Sequence, residues 1–342
     1  MTARTASPAA EAVPLSSDFG RLLTQVRDAR LLDRSLWLYL PRLLTTAVLG
    51  AGGIVLLVVA GNSWWQLLVA AYSAVVFTQL GFLGHDAGHQ QIFRRRRDND
   101  RFGLVLANLC IGLSYSWWVD KHGRHHRSPN EVGRDPDVAR NVLAWTHEQA
   151  DAQRGALALV VRHQAVLFFP LLLLEALNLH IGSVRALLAA PRRHARELAL
   201  LAAHAVGLAA VLLLVMSPLH ALAFVGVQQA AFGLYLGCSF APNHKGMRIV
   251  GDDERLDFLR RQVLTSRNVT GGRAVAAMLG SLNYQIEHHL FPSMPSRNLR
   301  RARPLVRSFC AENGVSYAET SLVRSYGQAL RYLRGLRPVA TG

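Results

Sequence analysis

Uncharged apolar runs alternate along the chain with short, arginine-rich polar stretches, and run length sorts them. Leu43 to Ala60 carries no charge and is close to the ~20 residues that a helix needs to cross a bilayer. Gly61-Asn62-Ser63 predicts a tight turn. Trp64 to Gly84 then predicts a second span with a Trp pair at its entrance. Leu198 to Met216 and Leu219 to Phe240 predict a second hairpin of the same kind, turning at Ser217-Pro218. Two further apolar stretches are interrupted, Phe102 to Trp118 by Asn108, Gly112 and Ser114, and Val166 to Leu179 by Pro170 and Glu175. These predict buried, interfacial or re-entrant helices rather than spans.

The remaining patterned segments are amphipathic. Between Phe19 and Arg34, residues Leu22, Leu23, Val26, Ala29 and Leu32 recur at helical spacing. Trp37 and Tyr39 follow as expected interfacial aromatics. Asp252 to Asn268, Arg297 to Cys310 and Ser321 to Leu336 predict helices, broken by Gly271-Gly272 and by Pro292 to Pro295. Residues 1–18 are rich in Ala, Ser and Pro without an apolar core, which predicts a disordered tail and no signal peptide. The expected fold class is an all-α integral membrane protein. It consists of a tail (1–18) and one membrane domain (19–342), with spans at about 43–60, 64–84, 198–216 and 219–240 and a helical cap from 85–197 and 241–342.

Charge orients this arrangement. Arg94 to Arg97 follows the second span, and Arg192, Arg193 and Arg196 precede the third. The positive-inside rule places both ends of each hairpin and the cap on the cytoplasmic face, in a multi-pass protein of a bacterial inner or plasma membrane. The chain is 51% hydrophobic with a formal net charge of +16, and its mean hydropathy is +0.17. The excess positive charge does not indicate nucleic acid, because no zinc finger, RNP motif or basic heptad array accompanies it. The three cysteines, Cys110, Cys238 and Cys310, form no CxxC pair and so no disulfide framework or thiolate metal site.

Histidine changes the picture more than charge does. Lys121-His122-Gly123-Arg124-His125-His126-Arg127 holds three imidazoles, which share one face if the segment is helical. His85 and His89 lie one turn apart, His288 and His289 are adjacent, and His244 follows Pro242-Asn243. Eight of the chain's 14 histidines fall in these four clusters, and the predicted topology brings all four to one membrane face. Eight imidazoles exceed the needs of one metal and match two metals with about four each. Neutral imidazole suits Fe, Zn, Cu or Ni and not Mg or Ca. Zinc-protease (His-Glu-x-x-His) and carboxylate-bundle (Glu-x-x-His) spacings are absent. Haem held between single histidines of facing helices suits the triplet poorly. A non-catalytic membrane metal-binding or transport protein would carry polar ligands in mid-span, where only His204 qualifies.

With these residues in view, the chain resembles the membrane fatty acid desaturase superfamily. Its three boxes stand here as His85-Asp86-Ala87-Gly88-His89, His122-Gly123-Arg124-His125-His126 and Gln285-Ile286-Glu287-His288-His289, separated by two hairpins, over roughly Leu43 to Pro292. Gln285 in place of a first histidine resembles the front-end and linoleoyl-CoA-like branch. Members of that branch often carry a fused cytochrome b5 domain with a His-Pro-Gly-Gly motif, which does not occur in this sequence.

The resemblance implies two Fe ions held by His85, His89, His122, His125, His126, His288 and His289. His244 is the expected eighth ligand, brought round by a helix end at Pro242. It implies O2-dependent desaturation of a fatty acyl chain, carried as acyl-CoA or acyl-lipid. A hydroxylase on the same scaffold is the alternative, since the same oxidant can insert oxygen. Electrons are expected from an external donor, a ferredoxin or a cytochrome b5 with its reductase, and membrane lipid is a further partner. Asp86 and Glu287 are expected to bond imidazole N–H groups, with Asn243 and Gln285 hydrogen-bonding near the site. The arginine patches are expected to set topology or to hold CoA phosphates or lipid headgroups.

Overall fold

The structure, a computed structural model, describes residues 17–336 except Asp252. The tail expected over 1–18 therefore lies outside the described residues apart from its last two. Ser17 caps helix α1 (Asp18–Asp28), its Oγ accepting from Gly20 N at 3.0 Å. The helix stops short of Arg34 because Arg30 turns to φ 55°, the left-handed stop that ends many helices. Leu22 and Val26 are buried against Leu299, Val306 and Phe309 of the C-terminal part.

Four helices among the described residues are long and apolar enough to cross a membrane. The first two are α2 (Leu40–Ala60) and α3 (Gln66–Gly88). Next come α4 (Arg96–Leu104), α5 (Tyr115–Arg127), α6 (His147–Asp151), α7 (Gly155–Arg162), α8 (Gln164–Leu172) and α9 (Glu175–Leu188). The other two spans are α10 (Ala195–Val215) and α11 (Pro218–His244). Helix α3 packs most extensively on α11. In their most apolar windows 44% of α3 and 39% of α11 is buried, against 17% of α2 and 6% of α10. The outer helices thus present side chains such as Val59 and Leu214 outward, and the inner pair carries histidines at its ends. Tyr39, expected at an interface, is instead buried, its hydroxyl donating to Gln91 Oε1 at 2.9 Å and accepting from Ser296 N at 3.1 Å. Trp37 is exposed.

Two helix ends differ from expectation, and both bear on the histidines. Helix α3 runs on through His85 to Gly88. Helix α11 runs through Pro242 to His244 rather than ending at the proline. Pro242 has no N–H, so the Cys238 carbonyl four residues earlier loses its helical partner. The Tyr326 hydroxyl donates to that carbonyl at 2.6 Å, and Lys245 N resumes the ladder on Ala241 O at 3.0 Å.

The interrupted run at Phe102–Trp118 is a bent pair. Helices α4 and α5 are joined through a wide π-type turn at Val105–Cys110, with a bend of 113°. The interrupting residues explain the bend. Buried Glu197 of α10 accepts from Asn108 Nδ2 at 3.0 Å, Ser114 Oγ at 2.8 Å and Ser116 N at 3.2 Å. His204 and His180 bond the Leu109 and Gly112 carbonyls at 2.9 and 3.0 Å, which answers the backbone groups left open at a break inside apolar surroundings.

The C-terminal part contains α12 (Phe258–Leu264), β1 (Asn268–Thr270), α13 (Gly272–Met278), α14 (Gln285–Leu290), α15 (Ser296–Glu312), β2 (Glu319–Ser321) and α16 (Leu322–Gly335). The all-α expectation is corrected by β1 and β2, a parallel pair with Asn268 opposite Glu319. Strands of three residues are too short for period-two alternation to show. The helix expected over Asp252–Asn268 is confined to α12, where Asp257 Oδ1 caps Arg260 N at 2.9 Å.

The contact of α11 with the α8–α9 turn depends on Gly233. A Cβ there would lie 2.7 Å from both Ala176 N and Leu172 O, and backbone cannot move aside as a side chain can. Gly233→Ala is expected to destabilise the protein by roughly 1–3 kcal/mol. Gly226→Ala, with nothing within 4 Å, is expected to be neutral or slightly stabilising. Thermal unfolding in detergent distinguishes the two, and equal behaviour would contradict this packing.

Candidate metal centre

Four helices deliver the eight clustered histidines to one place. His85 stands in the last turn of α3 and His89 caps it. Residues His122, His125 and His126 lie on α5, His244 ends α11, and His288 and His289 lie on α14. The ligand nitrogens of His85, His89, His122 and His288 lie within 4.8 Å of one another, as do those of His125, His244 and His289. His126 stands between the groups. Its Nε2 is 3.1 Å from His122 Nε2, and its ring stacks on His289 with centroids 4.2 Å apart. The partition is therefore four, three and one bridging ring, where the sequence suggested four and four.

The hydrogen bonds orient the rings. His125 Nδ1 lies 2.9 Å from Asp135 Oδ2, His289 Nδ1 2.9 Å from Gln262 Oε1, His244 Nδ1 3.1 Å from Thr265 O, and His85 Nδ1 3.2 Å from Asp86 Oδ1. Each acceptor takes an Nδ1–H, which leaves the Nε2 lone pair as the free donor atom. Buried nitrogens with no hydrogen-bond partner remain on His85, His89, His126, His288 and His289. Unpartnered lone pairs converging in a buried site fit a metal that prefers imidazole, and these eight residues are the ones that would hold it. Around His244, Gln285 donates from Nε2 to the ring's Nε2 at 2.9 Å while its Oε1 accepts from Asn243 Nδ2 at 3.3 Å. A metal would compete with this amide for the His244 lone pair.

Of the two carboxylates expected to bond imidazoles, Asp86 reaches His85 and also pairs with Arg42 at 3.0 Å. Glu287 is corrected. It points to the opposite side of α14 from the rings, where it accepts from Tyr317 Oη at 2.6 Å and Asn268 Nδ2 at 2.8 Å. It therefore anchors α14 to the strand pair, and burial pushes its carboxyl up to about 7. Sequence reasoning missed Asp135, Gln262 and Thr265. Asp135 is 2% exposed and also accepts from Asn130 N at 2.7 Å and Asp137 N at 2.9 Å, so the loop after α5 holds it rigidly. Its only sequence signal is the Asp-Pro-Asp turn downstream of the second histidine cluster.

Comparison with known proteins places the chain among described sequences. Residues 62–321 match the sequence profile described as "Fatty acid desaturase". Acyl-lipid (9-3)-desaturase of Physcomitrium patens is 29% identical over 339 residues, covering 95% of this chain and 64% of its own length. Delta(5) fatty acid desaturase fat-4 of Caenorhabditis elegans is 28% identical, covering 95% of this chain and 75% of its own. Fatty acid desaturase 3 of Bos taurus is 30% identical, with 94% and 73% covered. The chain thus spans just under two thirds of the length of the moss relative.

The site has a consequence for pH. Burial, and secondly the neighbouring imidazoles, hold His288 and His289 well below the ordinary 6.5. Both are neutral in the fold, whereas the unfolded chain protonates them as pH falls through 6.5. Stability is therefore complete above that value and falls below it, by up to roughly 1.4 kcal/mol per histidine per pH unit. The unfolding temperature is expected to fall between about pH 7 and about pH 5.5, with a shallower fall in His288→Gln. An equal pH dependence in the two proteins would show that His288 is not held neutral.

Proposed function

Because the chain belongs to the fatty acid desaturase family, we propose that it catalyses O2-dependent desaturation of a fatty acyl chain, carried as acyl-CoA or acyl-lipid, at a centre of two Fe ions. The observation that carries this reading is the convergence of unpartnered buried imidazole nitrogens at the cap end of the inner spans. His85, His89, His122 and His288 would hold one iron, His125, His244 and His289 the other, and His126 stands within reach of both sets. When bound, iron supplies the O2-derived oxidant that an unactivated C–H bond requires, since no side-chain base can remove a proton from such a bond. The protein's own residues keep His288 and His289 neutral by burial, fix the tautomers of His125, His289, His85 and His244 through Asp135, Gln262, Asp86 and the Thr265 carbonyl, and limit water near the site. O2 reduced to two waters while the acyl chain gives up two hydrogens needs two further electrons. We assign their supply to an external carrier, a ferredoxin or cytochrome b5 with its reductase.

The same reading extends to topology. The turns after α2 and α10 touch, with Ser217 N donating to Asn62 Oδ1 at 2.9 Å and Trp64 packed on His220 at 4.4 Å between rings. The arginine-rich segments and all eight clustered histidines belong to the other helix ends. This supports two hairpins in one membrane domain, with the cap, the site and the arginines cytoplasmic.

Expression in a host that lacks the activity is expected to add a double bond to cellular acyl chains, located by mass spectrometry after chemical derivatisation. A His125→Ala variant that still inserts should add none. Hydroxylated acyl chains in place of new double bonds would favour the hydroxylase alternative, and unchanged lipids with an active electron donor present would reject both. For topology, single cysteines placed at Asn62 and at Arg94 in a cysteine-free background should be labelled from opposite sides of the membrane. Labelling of both from one side would reject the two-hairpin arrangement.

A further inference from the structure

The stretch from the end of α12 into β1 touches three of the helices that carry clustered histidines. Gln262 meets His289 of α14 through Oε1, and its Nε2 donates to His126 O of α5 at 3.0 Å. Thr265 O takes the Nδ1–H of His244, which ends α11, at 3.1 Å. Asn268 Oδ1 accepts from Ile286 N of α14 at 3.0 Å. Arg267 stands within this stretch and has no role in the scheme above. Its side chain is fully buried, with 2% exposed.

A buried guanidinium ordinarily needs an anionic partner. The groups that Arg267 bonds are all neutral. Nε donates to Pro242 O at 2.6 Å, while the two terminal nitrogens donate to Lys245 O and Gln328 Oε1. Its backbone N donates to Asn243 O at 3.0 Å. Arg267 therefore holds three carbonyls of one helix end, two before His244 and one after it. Such carbonyls have no partner within their own helix and carry the negative end of its dipole. That dipole is the counter-charge. Burial lowers the guanidinium to about 10, which leaves it protonated at neutral pH.

The position of this clamp matters because Pro242 has removed one helical bond from the turn that delivers His244. Thr265 orients the His244 ring, and Arg267, two residues later, fixes the backbone that carries it. One segment thus sets both. The side chain of Arg267 makes no bond to the helices that carry His85, His89, His122 and His288, since its partners lie at the end of α11 and on α16.

We propose that Arg267 is a positioning residue for one half of the metal centre. By clamping the last turn of α11 it sets where His244 stands, and so governs metal affinity at the group of His125, His244 and His289 while leaving the four-histidine group unaffected. The affinity claim rests on the two-metal reading above, whereas the clamp does not.

The test uses the purified full chain in detergent, stripped of metal and titrated with cobalt(II). This ion takes imidazole ligands and reports its coordination through visible d–d absorption. Arg267→Met and Arg267→Lys are compared with wild type and with Gly233→Ala, whose lesion lies at the α8–α9 turn. Unfolding temperatures confirm that each variant is folded. Wild type and Gly233→Ala are expected to bind two cobalt ions alike. Arg267→Met is expected to bind the first as wild type does and the second at least roughly tenfold more weakly, about what one hydrogen bond to a charged group contributes, with an altered spectrum for that ion alone. Arg267→Lys keeps the charge without the fork and is expected to lie between. Wild-type binding of the second ion in either variant, or equal weakening of both ions, overturns the proposal, and Arg267→Lys decides it if Arg267→Met does not fold. Hydrogen–deuterium exchange of the metal-free chain reads the clamp separately, with faster exchange expected over residues 240–246 in both Arg267 variants. Fewer than two cobalt ions on wild type would contradict the two-metal reading, and unaltered exchange over 240–246 would contradict the clamp.

Discussion

Buried imidazole nitrogens without hydrogen-bond partners are the constraint on which the rest of this structure depends. Six such nitrogens lie on His85, His89, His126, His288 and His289. Each costs roughly 1–3 kcal/mol when left unpaired. Together they rival the roughly 5–15 kcal/mol by which a domain is stable. A fold that gathers them needs a Lewis acid to engage their lone pairs and rigid neighbours to resist their separation. The second requirement is visible in the surrounding residues. Asp135, Gln262, Asp86 and the Thr265 carbonyl each take one Nδ1–H. Asn130 in turn ties the loop that carries Asp135 to the carbonyls of His244 and Thr265 at 3.2 and 3.3 Å.

The helices serve this site by continuing where their sequences suggest a stop. Helix α3 must extend past its apolar run for His85 to sit in its last turn, and α11 must survive Pro242 to deliver His244. The second extension depends on residues further along the chain, 88 and 25 positions from the groups they bond. Tyr326 bonds the carbonyl that the proline frees, and the buried guanidinium of Arg267 donates to Pro242 O at 2.6 Å. Glu287 acts in the same way on α14, which it fastens to β1 through Asn268 and to the segment before β2 through Tyr317. The C-terminal part is therefore a brace for helix ends as much as a cover for the site.

The legible features were those written in local pattern. Span existence followed from uncharged apolar length, and the bend near Gly112 followed from Asn108 and Ser114 within an apolar run. Convergence of the histidine clusters on one end followed from counting spans and arginines. What could not be read depends on partners distant in the chain. Tyr39 looked like an interfacial aromatic because its partners Gln91 and Ser296 are remote. Pro242 looked like a helix end because Tyr326 is remote. Glu287 sits beside two histidines in sequence but on the opposite side of a helical turn, so adjacency misled where geometry decides. Gln262 and Thr265 have no periodicity or motif to mark them, and Asp135 has only its Asp-Pro-Asp turn; their places in a loop or at a helix end are specified by tertiary structure.

The central claim is that the eight histidines form one centre for two irons, with His244 as a ligand despite its place outside the three boxes. Metal analysis of purified protein expressed with iron tests this most directly, comparing wild type, His244→Ala and His147→Ala, whose histidine is exposed and outside the clusters. The account predicts about two irons per chain in wild type and His147→Ala and about one in His244→Ala, consistent with loss from a site left with His125 and His289. A wild-type iron count in folded His244→Ala would contradict the assignment of His244. A single metal per chain in fully active wild-type protein would contradict the two-iron centre itself.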